Sequence, residues 1–476
     1  MAESRTVVVL AAGLGKRMHS ATPKMMHELL GRPLVGHVLH AAGPLAADRT
    51  LVVVGAGADQ VGAYVQEHAP NAQIVVQAEQ RGTGHATRTA LEAAPDTDGT
   101  VIVLSGDNPL LRAVTLEAML AAHDASGAAA TVLTATVEEP YGLGRIIRDE
   151  HGQVAAIVEH RDATERQLAI HEINSSIYAF RADLLRSSLA KLTGDNDQGE
   201  ELLTDVVGLL VGAGHPVGAH QVADTSEVLG CNDRAQLATL RNLLRDRING
   251  DLMRSGVTMI DPATTWIDVT VTVGLDALIE PNTQLRGATS IGAGAVVGPD
   301  TTLTDVTVGE AARVVRTHGS SAVIGAGASV GPFAFLRPGT QLGDTGKIGT
   351  FVETKSATIG RGAKVPHLTY VGDATIGPDA NIGAGTIFAN YDGVHKHHTT
   401  VGEAAFVGSD SVLVAPREIG PGAYIGAGSV VSRDVPSGAL AVARAEQSTV
   451  AGWVARRRPG TKSARAAEAT ERGTAD

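Results

Sequence analysis

The stretch VVVLAAGLGKRM, Val7–Met18, runs an apolar segment into alanines, glycines and a Lys-Arg pair. The apolar run reads as a buried strand, and the glycines as a turn that brings backbone N–H groups close to an anion. The turn lacks the third glycine of the dinucleotide fingerprint and the Lys-Ser/Thr ending of a phosphate-cradling nucleotide loop. A tight turn after a first strand and a phosphate site are therefore both open. LSGDNPL, Leu104–Leu110, follows another apolar run. Its Asp107 is a hard oxygen ligand suited to Mg²⁺ bridging phosphates, or else an ordinary turn residue. A third candidate is NYDGVHKHHTT, Asn390–Thr400, with His395, His397 and His398. Its irregular spacing and the lack of a nearby cysteine argue against a metal centre. His367, alone in PHLTY, has the right ordinary pKa for a base, yet an isolated histidine reads first as structural.

These groups sit on two kinds of chain. The first ~230 residues alternate short apolar runs with helical stretches, the pattern of an α/β domain with a mainly parallel sheet. Strand candidates are Val7–Leu10, Leu51–Gly55, Ile74–Gln77, Val101–Leu104 and Ala129–Val137, and helix candidates include Leu34–Ala42 and Gly84–Ala94. In such sheets ligands bind beyond the carboxyl ends of the strands, where the glycine turn and Asp107 both lie. Leu237, Leu240, Leu244, Ile248 and Leu252 then recur at helical spacing. That predicts one amphipathic helix over 233–254, about 30 Å long and able to serve as a strut between domains. Asn232 reads as its N-cap.

Beyond Ser255 the period changes. Val273, Ile279, Leu285, Ile291, Val297 and Leu303 fall six apart, as do Ile324 to Ile348 and Val401 to Val431. A six-residue period, often with glycine after the apolar residue, is the hexapeptide signature of a β-helix with one side of a triangular coil per repeat. The period breaks at Asn390–Thr400, which therefore emerges as a loop. Arg456–Asp476 is polar, Ala-rich and aperiodic, and is expected to be a disordered tail.

Composition narrows the function. A chain of 476 residues implies two or three domains. Its net charge of −12 argues against a general nucleic-acid binder, so a polyanionic ligand must be met by local basic residues. Cys231 is the single cysteine, which excludes an intrachain disulfide and fits a reducing compartment. No apolar run is long enough for a signal peptide or membrane span, and the expectation is a soluble cytoplasmic protein.

The motifs together resemble one known family. LAAGLGKRM, TPKMMHELLGRPLVGHV, QAEQRGTGHA, LSGDNPL, YGLGRI, IVEH and EIN come in the order of the sugar-1-phosphate nucleotidyltransferases. LRPG, KVPHLTYVGD, NIGAGT, NYDG and FVGSD resemble a C-terminal acyltransferase domain. From Val7 to about Trp453 the chain resembles the bacterial bifunctional N-acetylglucosamine-1-phosphate uridyltransferase/glucosamine-1-phosphate acetyltransferases. The resemblance implies a Rossmann-like uridyltransferase domain (1–232), a linker helix (233–254), a left-handed parallel β-helix acetyltransferase domain (255–455) and the tail (456–476). It also implies a homotrimer holding acetyl-CoA between subunits, with no nucleic-acid or membrane partner.

The same resemblance assigns roles. Leu10, Ala11, Ala12 and Gly13 would approach UTP, with Arg17 and Lys24 neutralising phosphates. Ser105, Gly106 and Asp107 would line that site, and Asp107 with Asn232 would hold Mg²⁺. Gln77, Gly82 and Thr83 match uracil contacts, and Gly144, Glu159 and Asn174 match sugar contacts. His85 reads as helix packing. In the second half His367 matches the acetyl-transfer base, and Arg337, Lys355, Tyr370 and Asn381 match sugar-phosphate contacts. Ala384, Asn390, Tyr391, Ser409, Ala427 and Arg444 match acetyl-CoA contacts, and Lys396 would add charge from the loop. Two other readings stay open: a single-activity nucleotidyltransferase whose β-helix only assembles or regulates, and a non-catalytic nucleotide-sugar binder.

Overall fold

A computed structural model describes residues 4–196 and 199–473, which divide into two compact units, Met1–Val308 and Gly309–Asp476. The first unit is built on a mixed sheet. Its strand order is Val217–Gln221, Ala130–Thr136, Glu172–Arg181, Thr100–Ser105, Arg5–Ala11, Arg49–Val54 and Gln73–Val76. Glu172–Arg181 runs antiparallel to both neighbours and the other pairs are parallel. Each of the five expected strands is present. The two central strands alternate their side chains between two cores, Val8 on one face and Val7 and Val9 on the other. Both faces are apolar because helices cover both, including Leu34–Ala42 and Thr83–Glu92.

The long helix spans Arg234–Arg254 and its N-cap is Asp233, whose side chain accepts from Gln236 N. Asn232, expected as the N-cap, is instead the residue before it, which leaves its amide for other work. Nor is the helix a bare strut. Leu237, Leu240 and Leu244 pack with Met18, Leu29, Leu34, Leu110 and Cys231, and Trp266 and Val269 lean on the same cluster. The helix is thus part of the wall beneath the loops that carry Lys24 and Asp107.

Downstream the chain forms a parallel β-helix. In the first unit Leu278 pairs with Val296 and Gln284 with Thr302, a rise of one coil every 18 residues, or three hexapeptides. Buried threonines inside the coils are satisfied locally: Thr283 and Thr289 hydroxyls donate to the carbonyls of Glu280 and Arg286 at 2.7 Å. In the second unit the inward positions are Ile348, Thr354, Ile359, Val365, Val371, Ile376, Ile382 and Phe388, all buried. Two of these steps are five residues rather than six, so Lys347 pairs with Lys364 and Glu353 with Tyr370, 17 residues on. The insertion after Asn390 then stretches the register to 25, as in Ala374–Thr399. The C-terminal stretch departs from the disordered tail expected: Trp453–Arg457 and Lys462–Gly473 are helical, and residues 474–476 lie outside the described part.

Candidate functional sites

The first site gathers at the carboxyl ends of neighbouring strands. Gly106 N donates to Leu10 O at 2.9 Å, and Gln77 N to Val54 O at 2.8 Å, so the LAAG, LSGD and QAEQ segments lie side by side. A Cβ at Gly106 would stand 2.8 Å from Leu10 O, and one at Gly55 2.8 Å from Ala12 O. These glycines are what allow the strand ends to close up. At Gly15, φ is +59° and a Cβ would overlap Lys24 Cβ at 2.5 Å, so the glycine turn lets the Lys24 segment cross directly over it. Arg17 is exposed on that turn, while Met18 is buried beneath it and its carbonyl accepts from Arg234 Nε at 3.0 Å.

Lys24 joins segments distant in sequence. Its Nζ lies 2.5 Å from Asp107 Oδ2 and donates to Asn232 Oδ1 at 3.1 Å. Asp107 is fixed by Ser105 Oγ at 2.6 Å and by Cys231 N on its own carbonyl at 3.0 Å, which brings Asn232 alongside. Behind the pair, Glu227 is buried and accepts from Arg112 N at 3.1 Å and Arg112 Nε at 2.7 Å. Two oxygens that converge on one ammonium define a point where a cation is at home, and a carboxylate with an amide oxygen is the hard donor set of Mg²⁺. The residues present fit that ion.

The nucleobase and sugar candidates are also assembled. Gln77 is buried, and its Nε2 donates to Gly82 O at 3.3 Å and meets His85 Nδ1 at 2.9 Å. His85, read from sequence as packing, thus orients the amide and leaves its oxygen for a ligand. Asn174 N donates to Gly144 O at 2.9 Å, and a Cβ at Gly144 would stand 3.5 Å from the Glu159 carboxylate, so these three face one another. Asn174 Nδ2 donates to Tyr178 OH at 2.8 Å, and Thr204 Oγ1 to Glu159 Oε1 at 3.3 Å. Burial raises the Glu159 pKa; the Thr204 bond opposes this, while Asp162 and Asp205 add to it.

The second site lies where the coil drops residues. A Cβ at Gly349 would meet Pro366 O at 1.9 Å, so that glycine lets the PHLTY strand settle closely on the coil before it. His367 is exposed there, beside Thr350 in register. Lys355 lies across from Gly372, and a Cβ at Gly372 would overlap Tyr370 OH at 2.3 Å and Asn390 Nδ2 at 2.7 Å. Lys355, Tyr370 and Asn390 therefore crowd one spot, together with Asp373, which accepts from Asn390 Nδ2 at 2.5 Å. The Lys355 pKa is lowered first by contact with Lys396 and further by Arg337, with Asp373 opposing. Three cations gathered this way are set for an anion of more than one charge. Arg337 meanwhile rests on Glu353 at 2.9 Å. Asn381 lies one coil below Lys364, a step further along.

The inserted loop is a small hairpin. Asp392 accepts from Val394 N at 2.8 Å, His395 N at 2.7 Å and His397 Nε2 at 2.7 Å, while His398 turns away to Thr375. His395 and His397 thus share Asp392, one through its backbone and one through its ring, His398 lies apart, and Tyr391 bridges back to Lys396. Below His367, Gly385 N donates to His367 O, Asp410 N to Ala384 O and Gly428 N to Ser409 O. A Cβ at Gly408 would stand 2.5 Å from Ala427 N, and one at Gly428 3.7 Å from Arg444 Cδ. His367, Ala384, Ser409, Ala427 and Arg444 therefore descend in order, about 4.8 Å per coil.

Comparison with known proteins agrees with both halves. Residues 7–247 match the MobA-like NTP transferase domain, and residues 398–433 match the bacterial transferase hexapeptide (six repeats). The chain is 56% identical to the bifunctional protein GlmU of Streptomyces avermitilis over 468 residues, 98% of this chain and 97% of the relative. It is 55% identical to that of Streptomyces coelicolor with the same coverage, and 53% identical to that of Corynebacterium efficiens over 472 residues, again 98% and 97%.

Proposed function

The chain belongs to the family of bifunctional GlmU proteins, and from that premise we infer that it makes UDP-N-acetylglucosamine in two steps. It transfers acetyl from acetyl-CoA to glucosamine 1-phosphate, then uridylyl from UTP to N-acetylglucosamine 1-phosphate with release of pyrophosphate. In functional terms it divides into a uridyltransferase part (1–232), the helix (233–254), the acetyltransferase coil (255–455) and the C-terminal segment.

In uridylyl transfer the sugar phosphate oxygen attacks the α-phosphorus of UTP and the bond to pyrophosphate breaks. Two anions must meet, so Arg17 and Lys24 neutralise nucleophile and leaving group. Leu10 to Gly13 and Ser105–Gly106 present backbone to the nucleotide. Gln77, Gly82 and Thr83 hold uracil, and Gly144, Glu159 and Asn174 hold the acetylated sugar. Asp107 and Asn232 would hold Mg²⁺, which supplies charge neutralisation on the phosphates. The observation that supports this half most directly is the convergence of Asp107 and Asn232 on the Lys24 ammonium.

In acetyl transfer the amine of glucosamine 1-phosphate attacks the thioester carbonyl, His367 takes the amine proton, and the CoA thiolate leaves. Arg337, Lys355, Tyr370 and Asn381 bind the sugar phosphate, with Lys396 added by the hairpin. Asn390, Tyr391 and the descending line from Ala384 to Arg444 run from the base to a cation, the order an acyl thioester with a phosphorylated tail requires. Small side chains at 384 and 427 leave room for the pantetheine arm.

We propose a homotrimer acting in the cytoplasm. The exposed stacked pairs Phe333–Phe351 and Phe406–Tyr424 on the outside of the coils support association between copies. No described helix is long and apolar enough to cross a membrane. The test is one assay containing UTP, Mg²⁺, acetyl-CoA and glucosamine 1-phosphate, followed for CoA thiol, pyrophosphate and UDP-N-acetylglucosamine. All three products are expected. Pyrophosphate only when N-acetylglucosamine 1-phosphate is supplied would leave a single-activity enzyme, and no turnover would leave a binding protein. Sedimentation of the whole chain measures the trimer.

A further inference from the structure

Glu201 has no part in the roles above, yet it is nine-tenths buried against the loop that reads the base. We propose that Glu201 is a positioning residue that sets nucleobase discrimination, by holding the Gln77–Gly84 loop in the shape that fixes the Gln77 amide. The inference rests on the reading of Gln77, Gly82 and Thr83 as the uracil contacts.

The brace acts through backbone and side chain together. Glu201 N donates to Arg81 O at 2.8 Å, and Gly84 N donates to Glu201 O at 2.8 Å, so Glu201 pairs with both flanks of Gly82. Leu203 N adds a bond to Thr83 Oγ1 at 3.0 Å. Arg81 Nη2 donates to Glu201 Oε1, while Arg88 Nη2 stands 2.5 Å from Oε2, off the line of a hydrogen bond, as an ionic contact. Burial raises the Glu201 pKa, but the two guanidiniums more than reverse it and hold the carboxyl low. Gly82 has φ +111°, and a Cβ there would lie 2.4 Å from Glu201 O. Loop and brace fit only because that position has no side chain.

The loop's shape decides which end of the Gln77 amide faces the base. Gly82 O can only accept, so it draws the Nε2 end of Gln77, and His85 Nδ1 shares that end. The amide oxygen is left outward. Uracil presents an N–H at its ring imide, which that oxygen accepts; cytosine presents a bare ring nitrogen there and is refused. A loop released from Glu201 lets Gly82 O move away, and the amide can then turn to offer Nε2 to cytosine. Thr204, three residues on, bonds the Glu159 carboxylate, so the same short segment touches the base and sugar subsites.

The test compares pyrophosphate release with UTP and with CTP in wild type, Glu201→Gln, Arg81→Met and Gln77→Ala. Arg81 is half-exposed, so its variant keeps the question answerable even where Glu201→Gln folds poorly. Expected for Glu201→Gln and Arg81→Met is a KM for UTP raised about 3–10-fold with kcat within about twofold, as for a loop in its reading shape only part of the time. The UTP to CTP ratio of kcat/KM should fall about tenfold, and acetyl transfer should stay at the wild-type rate. A general structural weakening would lower kcat and leave the ratio unchanged, and an unchanged ratio in both variants overturns the proposal. If wild type shows no UTP preference, or Gln77→Ala leaves it intact, the uracil reading itself has failed; if only Gln77→Ala relaxes it, the brace alone has.

Discussion

Asp107→Asn separates two tasks of one carboxylate. The Lys24–Asp107 pair has side chains only 10% and 16% exposed, so its strength is little reduced by solvent. The replacement keeps an oxygen near Lys24 Nζ but removes the charge, and loss of a charge-assisted bond costs about 1.5–3 kcal/mol. For a unit of this size that lowers Tm by roughly 2–5 °C. Uridylyl transfer should fall about 10²–10³-fold, the usual effect of removing one preorganised electrostatic group. Adding Lys24→Met to Asp107→Asn should then cost less stability than the separate effects predict, by roughly 1 kcal/mol or more, because no buried charge is left alone. The assay is pyrophosphate release with N-acetylglucosamine 1-phosphate beside thermal melts of the two single variants and the double. Pyrophosphate release at the wild-type rate in Asp107→Asn would refute the assignment, and strictly additive melts would refute the pairing argument.

His367→Ala should lower acetylation by about 10²–10⁴-fold, the range of general-base catalysis, and leave uridylyl transfer unchanged; collapse of both activities would show that the residue is structural. Gly82→Ala places a Cβ 2.4 Å from Glu201 O on a left-handed backbone, so UTP binding measured by calorimetry should weaken sharply while acetyl transfer is unaffected. For Glu159 the folded pKa is raised, so ionising it in the folded protein costs stability once the pH exceeds the ordinary carboxyl value. Glu159→Gln should therefore melt higher than wild type near neutral pH, the advantage should shrink as the pH falls towards the ordinary carboxyl value and be gone by about pH 4, and the KM for N-acetylglucosamine 1-phosphate should rise.

Where pattern and chemistry coincide, the sequence is legible. The central strands are near-continuous apolar runs because helices bury both faces, and that is what a parallel core demands. The strands Arg145–Arg148 (RIIR) and Val154–Val158 (VAAIV) give a weaker signal: each is only four or five residues long, one is capped by arginines at both ends, and they pair chiefly with each other off the main strand order. The hexapeptide period reads clearly except between Leu303 and Ile324 and between Ile348 and Val401, and both interruptions have a cause in steps shorter than six. In the first, Ser290 pairs with Thr307 and Thr317 with Ala334, 17 residues on. In the second, two five-residue steps and the hairpin insertion displace side chains from the regular corners, and Lys355, His367, Tyr370 and Asn390 sit on those irregular coils. The second of these interruptions coincides with the residues proposed for acetyl transfer, while the first carries none of them. Contacts that depend on distant segments left no local trace: nothing near Gln77 announces Glu201, and nothing near Asp107 announces Cys231 N or Glu227.

A gene that encodes two catalysts in one chain invites the thought that recombination could exchange them at the start of the joining helix. The burial of Leu237, Leu240 and Leu244 beneath the Met18 and Leu110 loops forbids a breakpoint there. At about 1.5–3 kcal/mol for each fully buried leucine, a crossover at residue 232 would forfeit roughly 5–9 kcal/mol, on the scale of a whole domain's stability. It would also strip support from the loops that hold Lys24 and Asp107. Viable chimaeras of this lineage should therefore inherit the helix together with the N-terminal catalyst, so that what looks like a connector is transmitted as part of the enzyme it follows.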